Sequence, residues 1–470
     1  MNRIVRKPEM ACAFLLLAFA SFPQAQTESS LAPPLRSSID EIAQQVLKTT
    51  GVPSASIAVV QDGKIVYVQA YGAARLDPQT AAMPQMRYSI GSISKQFTAA
   101  AILLLAEEGK LSLDDPVSKY IPGLTSGNEI TIRELLSHTS GYQDFWPQDY
   151  VPPLMLQPIS AEGIMDRWAR KPLDFEPGTK WQYSNTNYVI AGAIVEKVSG
   201  QPLLQLLSQR VFTPLGMKSV ADTNANKLPP TDPTGYFRYA LGPLHPAPKE
   251  GRGWMFAAGE LAMTAEDLAK WDISIINQSV LKPASYREME TETVLKNGVG
   301  TRYGLGVFVT SVNGHRVLEH NGEVSGFTAE NIVMPDDKIA VVVLTNQDAA
   351  EAESEIGNQV RALLVKAASP QDPKQDALMR KVYDGLQQGK IDRSLFTDNA
   401  NSYFNDQALK DYASSLGQLG APQEFNQIRS SLRGGMTARI YGVKYPNKSL
   451  VIIIYEMPDG KIEQYLIAEQ

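Results

Sequence analysis

The sequence predicts a mixed α/β domain, with a largely antiparallel sheet assembled from both of its ends around a helical insert, followed by a small α+β domain. Three observations predict it. Strand-like runs stand at both ends of the segment 35–366, helical periodicity fills its middle, and a Pro-rich break precedes a second, shorter order of helices and then strands. A chain of 470 residues with 43% hydrophobic residues can bury a full core in each unit.

At the amino end, Arg3, Arg6 and Lys7 give a positive start, Ala11 to Phe22 form an apolar run, and Pro23 to Gln26 break it. This pattern predicts an export signal over residues 1–26, with cleavage near Ala25 or Gln26, and so a periplasmic or secreted protein. The run is shorter than the roughly 20 residues that cross a bilayer, so no stable membrane insertion is expected after the signal is removed. The single cysteine, Cys12, lies inside this run, which leaves the mature chain neither a disulfide nor a thiol nucleophile. His138, His245, His315 and His320 show no metal-ligand spacing, and neither a metal nor another cofactor is expected. Loss of Arg3, Arg6, Lys7 and Glu9 takes the formal charge from -6 to about -8, which argues against nucleic acid as a partner.

Ile39, Ile42, Val46 and Leu47 recur at helical spacing before Gly51. Two β-rich runs, Ser56 to Val60 and Ile65 to Gln69, flank Gln61-Asp-Gly-Lys64 and predict a hairpin. From Ser92 to about Glu290 the pattern is mostly helical with long Pro- and Gly-rich connections. Strands return at Tyr303 to Thr310, Arg316 to Glu319, Asn331 to Met334 and Ile339 to Thr345, and a helix carrying Ile356, Val360, Leu363 and Leu364 closes the unit. Residues 367–376 read as a linker. In 377–470, helices around Leu378 to Leu386 and Ala408 to Leu416 precede three strand candidates, Thr437 to Tyr445, Leu450 to Tyr455 and Ile462 to Ile467.

The chemistry centres on Tyr88-Ser-Ile-Gly-Ser92-Ile-Ser-Lys95, which opens an apolar helix ending at Gly109. Positions i and i+3 share a helical face, so Lys95 can reach the Ser92 hydroxyl. Burial of that face disfavours the ammonium and makes the lysine a proton acceptor, while backbone N–H groups at the helix start favour developing negative charge. Read alone, such a pair is more often a serine cap with a solvated lysine. Tyr183-Ser-Asn185 adds a phenol whose pKa a neighbouring ammonium could lower toward that of a base, and an amide able to hold a carbonyl. His320-Asn-Gly322 is expected just after a strand, with Gly322 letting a substrate backbone lie close to the strand edge.

Three motifs in this order, Ser92-x-x-Lys95, Tyr183-x-Asn185 and His320-x-Gly322, resemble the serine β-lactamase-like hydrolases: class C β-lactamases, low-molecular-weight penicillin-binding D-alanyl-D-alanine peptidases, D-aminopeptidases and related esterases. Gly109 to Pro116, Ile132 to Gly141, Gly259 to Asp267 and Tyr303 to Gly306 are similar to the same family, and the resemblance spans about residues 35–366. It implies that Ser92 is acylated, Lys95 activates it, and Tyr183 relays a proton to the leaving group. Asn185 would bind Lys95 and the substrate, His320 would line the cleft opposite Tyr183, and the backbone N–H groups of Ser92 and Glu323 would form the oxyanion hole. His138, after the capping-box pattern Thr131-x-x-Glu134, reads as structural.

Two departures shift the expected substrate. Where many members carry Lys-Thr-Gly this chain has His320 and Gly322, which removes a fixed cation for the carboxylate of penicillins. Glu323 adds a carboxylate that would repel anions unless it turns away. The expectation is therefore hydrolysis of esters, amides or small D-amino acid peptides, with weak or no β-lactam hydrolysis. The alternative is a non-catalytic penicillin-binding-like module for cell-wall peptide or a protein partner. The last hundred residues look similar to cone-shaped domains of the nuclear transport factor 2 type, without a specific motif, and neither their role nor the oligomeric state is legible.

Overall fold

The computed structural model describes residues 31–469 except 149, 313 and 369–372; the expected export signal and Cys12 lie outside the described residues, as does the middle of the expected linker. The chain opens with helix α1 (Pro33–Thr50), which turns Ile39, Ala43 and Val46 inward and stops at left-handed Gly51. Strands β1 (Ser54–Gln61) and β2 (Lys64–Leu76) form the expected hairpin, with Asp62 and Gly63 both at positive φ, the geometry of a tight two-residue turn. β3 (Gln79–Ala81) continues the meander.

The helical insert contains α2 (Ser94–Glu107), α3 (Ile132–Leu136), α4 (Asn185–Ser199) and α5 (Ala265–Asn277). Thr131 and Glu134 form a complete capping box at the start of α3. The chain then returns to the sheet through β4 (Phe308–Val312), β5 (His315–Val324), β6 (Phe327–Met334) and β7 (Ile339–Thr345), and α6 (Ala352–Ala368) follows. Seven strands in the order β3-β2-β1-β7-β6-β5-β4 make one sheet, and β1 pairs β7 antiparallel, which joins the two ends of the domain.

Alternation along the central strands explains why they are apolar throughout. Ile57, Val59, Val341 and Val343 pack toward α1 and α6, whereas Ala58, Val60, Ala340, Val342 and Leu344 pack toward the insert. Both faces of the sheet are covered.

The second unit has its own core, built by α7 (Pro373–Gln387), α8 (Asp398–Tyr403) and α9 (Asp406–Leu416) against a four-stranded antiparallel sheet of β8 (Glu424–Arg433), β9 (Met436–Tyr445), β10 (Lys448–Glu456) and β11 (Ile462–Glu469). The sequence predicts only the last three of these strands; β8 is the addition. Among the described residues no helix is long and apolar enough to cross a membrane, and no cluster of side chains could hold a metal ion.

Candidate active site

Ser92 sits in a single 3-10 turn, Gly91–Ile93, that runs directly into α2. The same short segment is stitched to residues 257–261: Ile90 N–H donates to Leu261 O, Leu261 N–H to Ser94 Oγ, and Thr98 Oγ1 to Ala257 O. This stitching brings Ala258 O to 2.8 Å from Lys95 Nζ.

Lys95 is wholly buried, one turn after Ser92, with Nζ 2.9 Å from Ser92 Oγ and 2.8 Å from Asn185 Oδ1. It also lies over the faces of Tyr183 and Tyr188, 4.9 and 5.5 Å from the ring centroids. Burial pulls its pKa down to about 7, opposed by the negative field of Asp144. A lysine so placed is substantially a free amine at neutral pH, and its neighbour is a serine hydroxyl.

Asp144 was not legible as a site residue. Its carboxylate accepts from the backbone N–H of Asn185 at 2.9 Å and of Trp146 at 3.2 Å, and from the Asn185 side-chain amide at 3.3 Å. It thereby aims the Asn185 carbonyl oxygen at Lys95. The only sequence signal was its place in the loop that follows Thr139-Ser-Gly141, since a loop carboxylate has no periodicity to betray it.

Tyr183 packs against Lys95, but its ionisation differs from the expectation. Burial raises the phenol pKa above its usual value, Ser92 pulls it the other way, and Asp144 adds to the rise. Tyr183 is thus held as a neutral phenol, not a ready phenolate, because burial disfavours the anion more than the Ser92 hydroxyl favours it.

His320-Asn-Gly322 lies inside β5 rather than after it, since Asn321, Gly322 and Glu323 pair with Glu330, Ala329 and Thr328 of β6. β4 pairs β5 only as far as Glu319, so the other edge of 320–324 is free of β4 and faces the Gly91–Ile93 turn. The His320 ring is buried: Tyr303 OH lies 2.9 Å from Nε2 and Asn321 O lies 2.6 Å from Nδ1. A carbonyl only accepts, so the proton is on Nδ1, Nε2 accepts from the phenol, and the ring is neutral. Burial, then the charge of Lys95, takes the pKa down to about 3. His320 therefore supplies no cation at neutral pH, and it stands behind the cavity wall rather than among the lining side chains.

Gly322 acts otherwise than expected. A Cβ there would sit 1.9 Å from Ile90 O and 3.2 Å from Ser92 N, so the space is filled by the Ile90–Ser92 backbone and not left for a substrate. Gly91 answers from the other side, where a Cβ would meet Glu323 N at 2.7 Å. Two side-chain-free positions let the backbone donors of Ser92 and Glu323 approach one another. Replacing Gly322 by Ala is expected to cost about 1–3 kcal/mol of stability through overpacking. Because the turn must shift, turnover should fall about 10²-fold as well. Denaturant titration and steady-state kinetics check this; an unperturbed variant would contradict the contact.

The Glu323 side chain turns toward the loop after β7 and accepts from Ala349 N–H at 2.8 Å. Ser92, Asn185 and Glu323 border a cavity of about 110 Å³, together with Trp146, Met255 and Asp348. Asp348 accepts from Gly326 N–H at 2.9 Å, and burial with the nearby Glu323 and Glu250 raises its pKa to about 6. Among the described residues lining the cavity there is no lysine or arginine.

A family model described as Beta-lactamase matches residues 39–366. The chain is 29% identical over 302 residues to a D-aminopeptidase of Brucella anthropi, a match covering 63% of this chain and 56% of that protein. It thus spans little more than half of that relative's length. A solved D-stereospecific amidohydrolase from a Streptomyces species superposes with a TM-score of 0.59 at 28% identity, over 67% of this chain and 96% of that one. An octameric penicillin-binding protein homologue from Pyrococcus abyssi shares the fold over 92% of this chain and 95% of its own, with a TM-score of 0.62 at 22% identity.

Proposed function

The chain belongs to the β-lactamase family, and from that premise we propose that it is a serine hydrolase working through a covalent acyl-enzyme on Ser92, acting on amides, esters or small D-amino acid peptides. The observation that carries this reading is the buried amine 2.9 Å from the Ser92 hydroxyl, with its pKa brought to about 7. In the reading, neutral Lys95 takes the Oγ proton as Oγ attacks the carbonyl carbon. The oxyanion rests on the backbone donors of Ser92 and Glu323, and the proton passes through the Tyr183 phenol to the leaving nitrogen or oxygen as its bond to carbon breaks. Water then resolves the Ser92 ester by the reverse sequence.

The D-aminopeptidase and the D-stereospecific amidohydrolase support an amide substrate of D configuration. Electrostatics of the cavity narrow it further. With Glu323 and Asp348 on the wall and no lysine or arginine among the described residues lining it, an acyl group bearing an ammonium or no charge is favoured over one bearing a carboxylate. We also assign export to residues 1–26, on the pattern given above, and a separate accessory domain that begins with α7 at Pro373 rather than at the expected 377, since 373–376 are helical and Asp376 accepts from the Tyr441 hydroxyl.

The test is a panel of D- and L-aminoacyl p-nitroanilides and esters, each with its amine free or succinylated. Free D-aminoacyl amides are expected to be turned over, with kcat/KM at least about 10-fold higher than for the succinylated forms, and a chromogenic cephalosporin is expected to be a poor substrate. Absence of Ser92-dependent turnover across the whole panel would overturn the hydrolase and leave a binding module.

A further inference from the structure

His138 is a buried titratable side chain that the chemistry above leaves unused. It stands two residues past α3, with its backbone at a left-handed φ of 60° and its side chain fully enclosed. Nδ1 lies 3.2 Å from the Ser184 N–H and 3.3 Å from the Asn187 amide. A backbone N–H only donates, so Nδ1 is the acceptor and the proton of the neutral ring is on Nε2. That Nε2 is buried without a hydrogen-bond partner. Burial, followed by the charges of Lys95 and His320, keeps the ring well below its usual pKa and hence neutral.

The ring face rests on Tyr183, 4.3 Å between centroids and tilted by 36°. Tyr303 and Tyr188 close the other sides at 4.9 and 5.3 Å. One imidazole therefore grips both the ring of Tyr183 and the backbone N–H between Tyr183 and Asn185, the two residues that contact Lys95 from that side. An apolar side chain would fill the same space without leaving Nε2 unpaired. What the imidazole adds is the acceptor for Ser184.

We propose that His138 is a positioning residue for acyl transfer from amides to Ser92: it holds the Tyr183 phenol and the start of α4 in register with Ser92 and Lys95. The proposal rests on the serine-hydrolase reading. It also separates two reactions of the same nucleophile. The amine leaving an amide needs a proton relayed through Tyr183, whereas fluoride leaving a fluorophosphonate does not, so only the first depends on how well Tyr183 is held.

Two variants divide the contacts. His138→Asn keeps an acceptor near the place of Nδ1 and suits a left-handed backbone, but removes the stacked ring. His138→Phe keeps the ring and removes the acceptor. Both are to be measured beside wild type and Ser92→Ala for thermal melting, for kcat and KM on a D-aminoacyl p-nitroanilide, and for the rate of Ser92 labelling by a fluorophosphonate. The expected result is a fall in amide kcat of about 10²-fold, the scale of a small misplacement of a reacting group. KM and the labelling rate should both stay within about threefold of wild type. Amide kcat unchanged in His138→Asn would overturn the proposal. So would labelling that falls in step with kcat, the mark of general disorder of the site. Wild type that shows no Ser92-dependent labelling defeats the hydrolase reading itself, and this is seen before any His138 variant is compared. His138→Asn decides the matter if His138→Phe does not fold.

Discussion

Ser92→Ala is expected to lower turnover of the best substrate by at least about 10³-fold and to remove the covalent adduct with a fluorophosphonate, leaving the fold unchanged. The size follows from what the hydroxyl does. In the proposed mechanism it forms the bond to the acyl carbon, so nothing else in the cavity can substitute for it by binding alone. Ser325 also lies on the cavity wall, but its hydroxyl is turned away to donate to Pro248 O. Mass spectrometry of the labelled peptide decides between the two. An adduct on Ser325, or full turnover by Ser92→Ala, would end the mechanism.

Lys95→Ala should be nearly as damaging, on the order of 10³-fold in kcat/KM, because the serine loses its proton acceptor. The lysine also sets the pH dependence. With its pKa at about 7, the fraction present as amine rises through neutrality, so kcat/KM is expected to climb about tenfold per pH unit below pH 7 and to level off above it. Stability must follow the same group. The folded value lies below the ordinary 10.5, so between pH 7 and 10.5 the unfolded chain holds a proton that the native chain has released, and stability rises with pH across that window. The cost of burying the charge is fully present below pH 7 and relieved above 10.5. Relative to Lys95→Ala, wild type should therefore gain up to about 2 kcal/mol between pH 7 and 9. Denaturant midpoints at the two pH values measure it; wild type that loses stability relative to Lys95→Ala as pH rises would mean the ammonium is stabilised where it lies.

Much of this was legible because periodicity and short spacing report on one element at a time. Ser92 and Lys95 share a helical turn, so their contact is a property of a local pattern. The central strands announced themselves as apolar runs because both faces of the sheet are covered. β8 did not: its sequence alternates weakly, it lies at the edge of its sheet, and Ile428 is exposed. Partners drawn from elsewhere in the chain were equally silent. Any residue could offer the carbonyl that Ala258 presents to Lys95, and Asp144 reaches Asn185 from an irregular loop. Gly322 was recognised as small, yet what it makes room for depended on which backbone came to lie against it.

The close approach of Gly322 to Ile90 and Ser92 has a consequence for how reactivity first arises on the ribosome. Translation delivers the nucleophile more than two hundred residues before the strand that braces it, and β1 must wait still longer for β7. A nascent chain halted within the insert carries the serine and the lysine but not the support that arranges them. Reactivity is thus acquired late and all at once. Halves of the protein divided within the Pro- and Gly-rich stretch of the insert between Leu228 and Gly253 should each be inert and regain hydrolysis only when mixed.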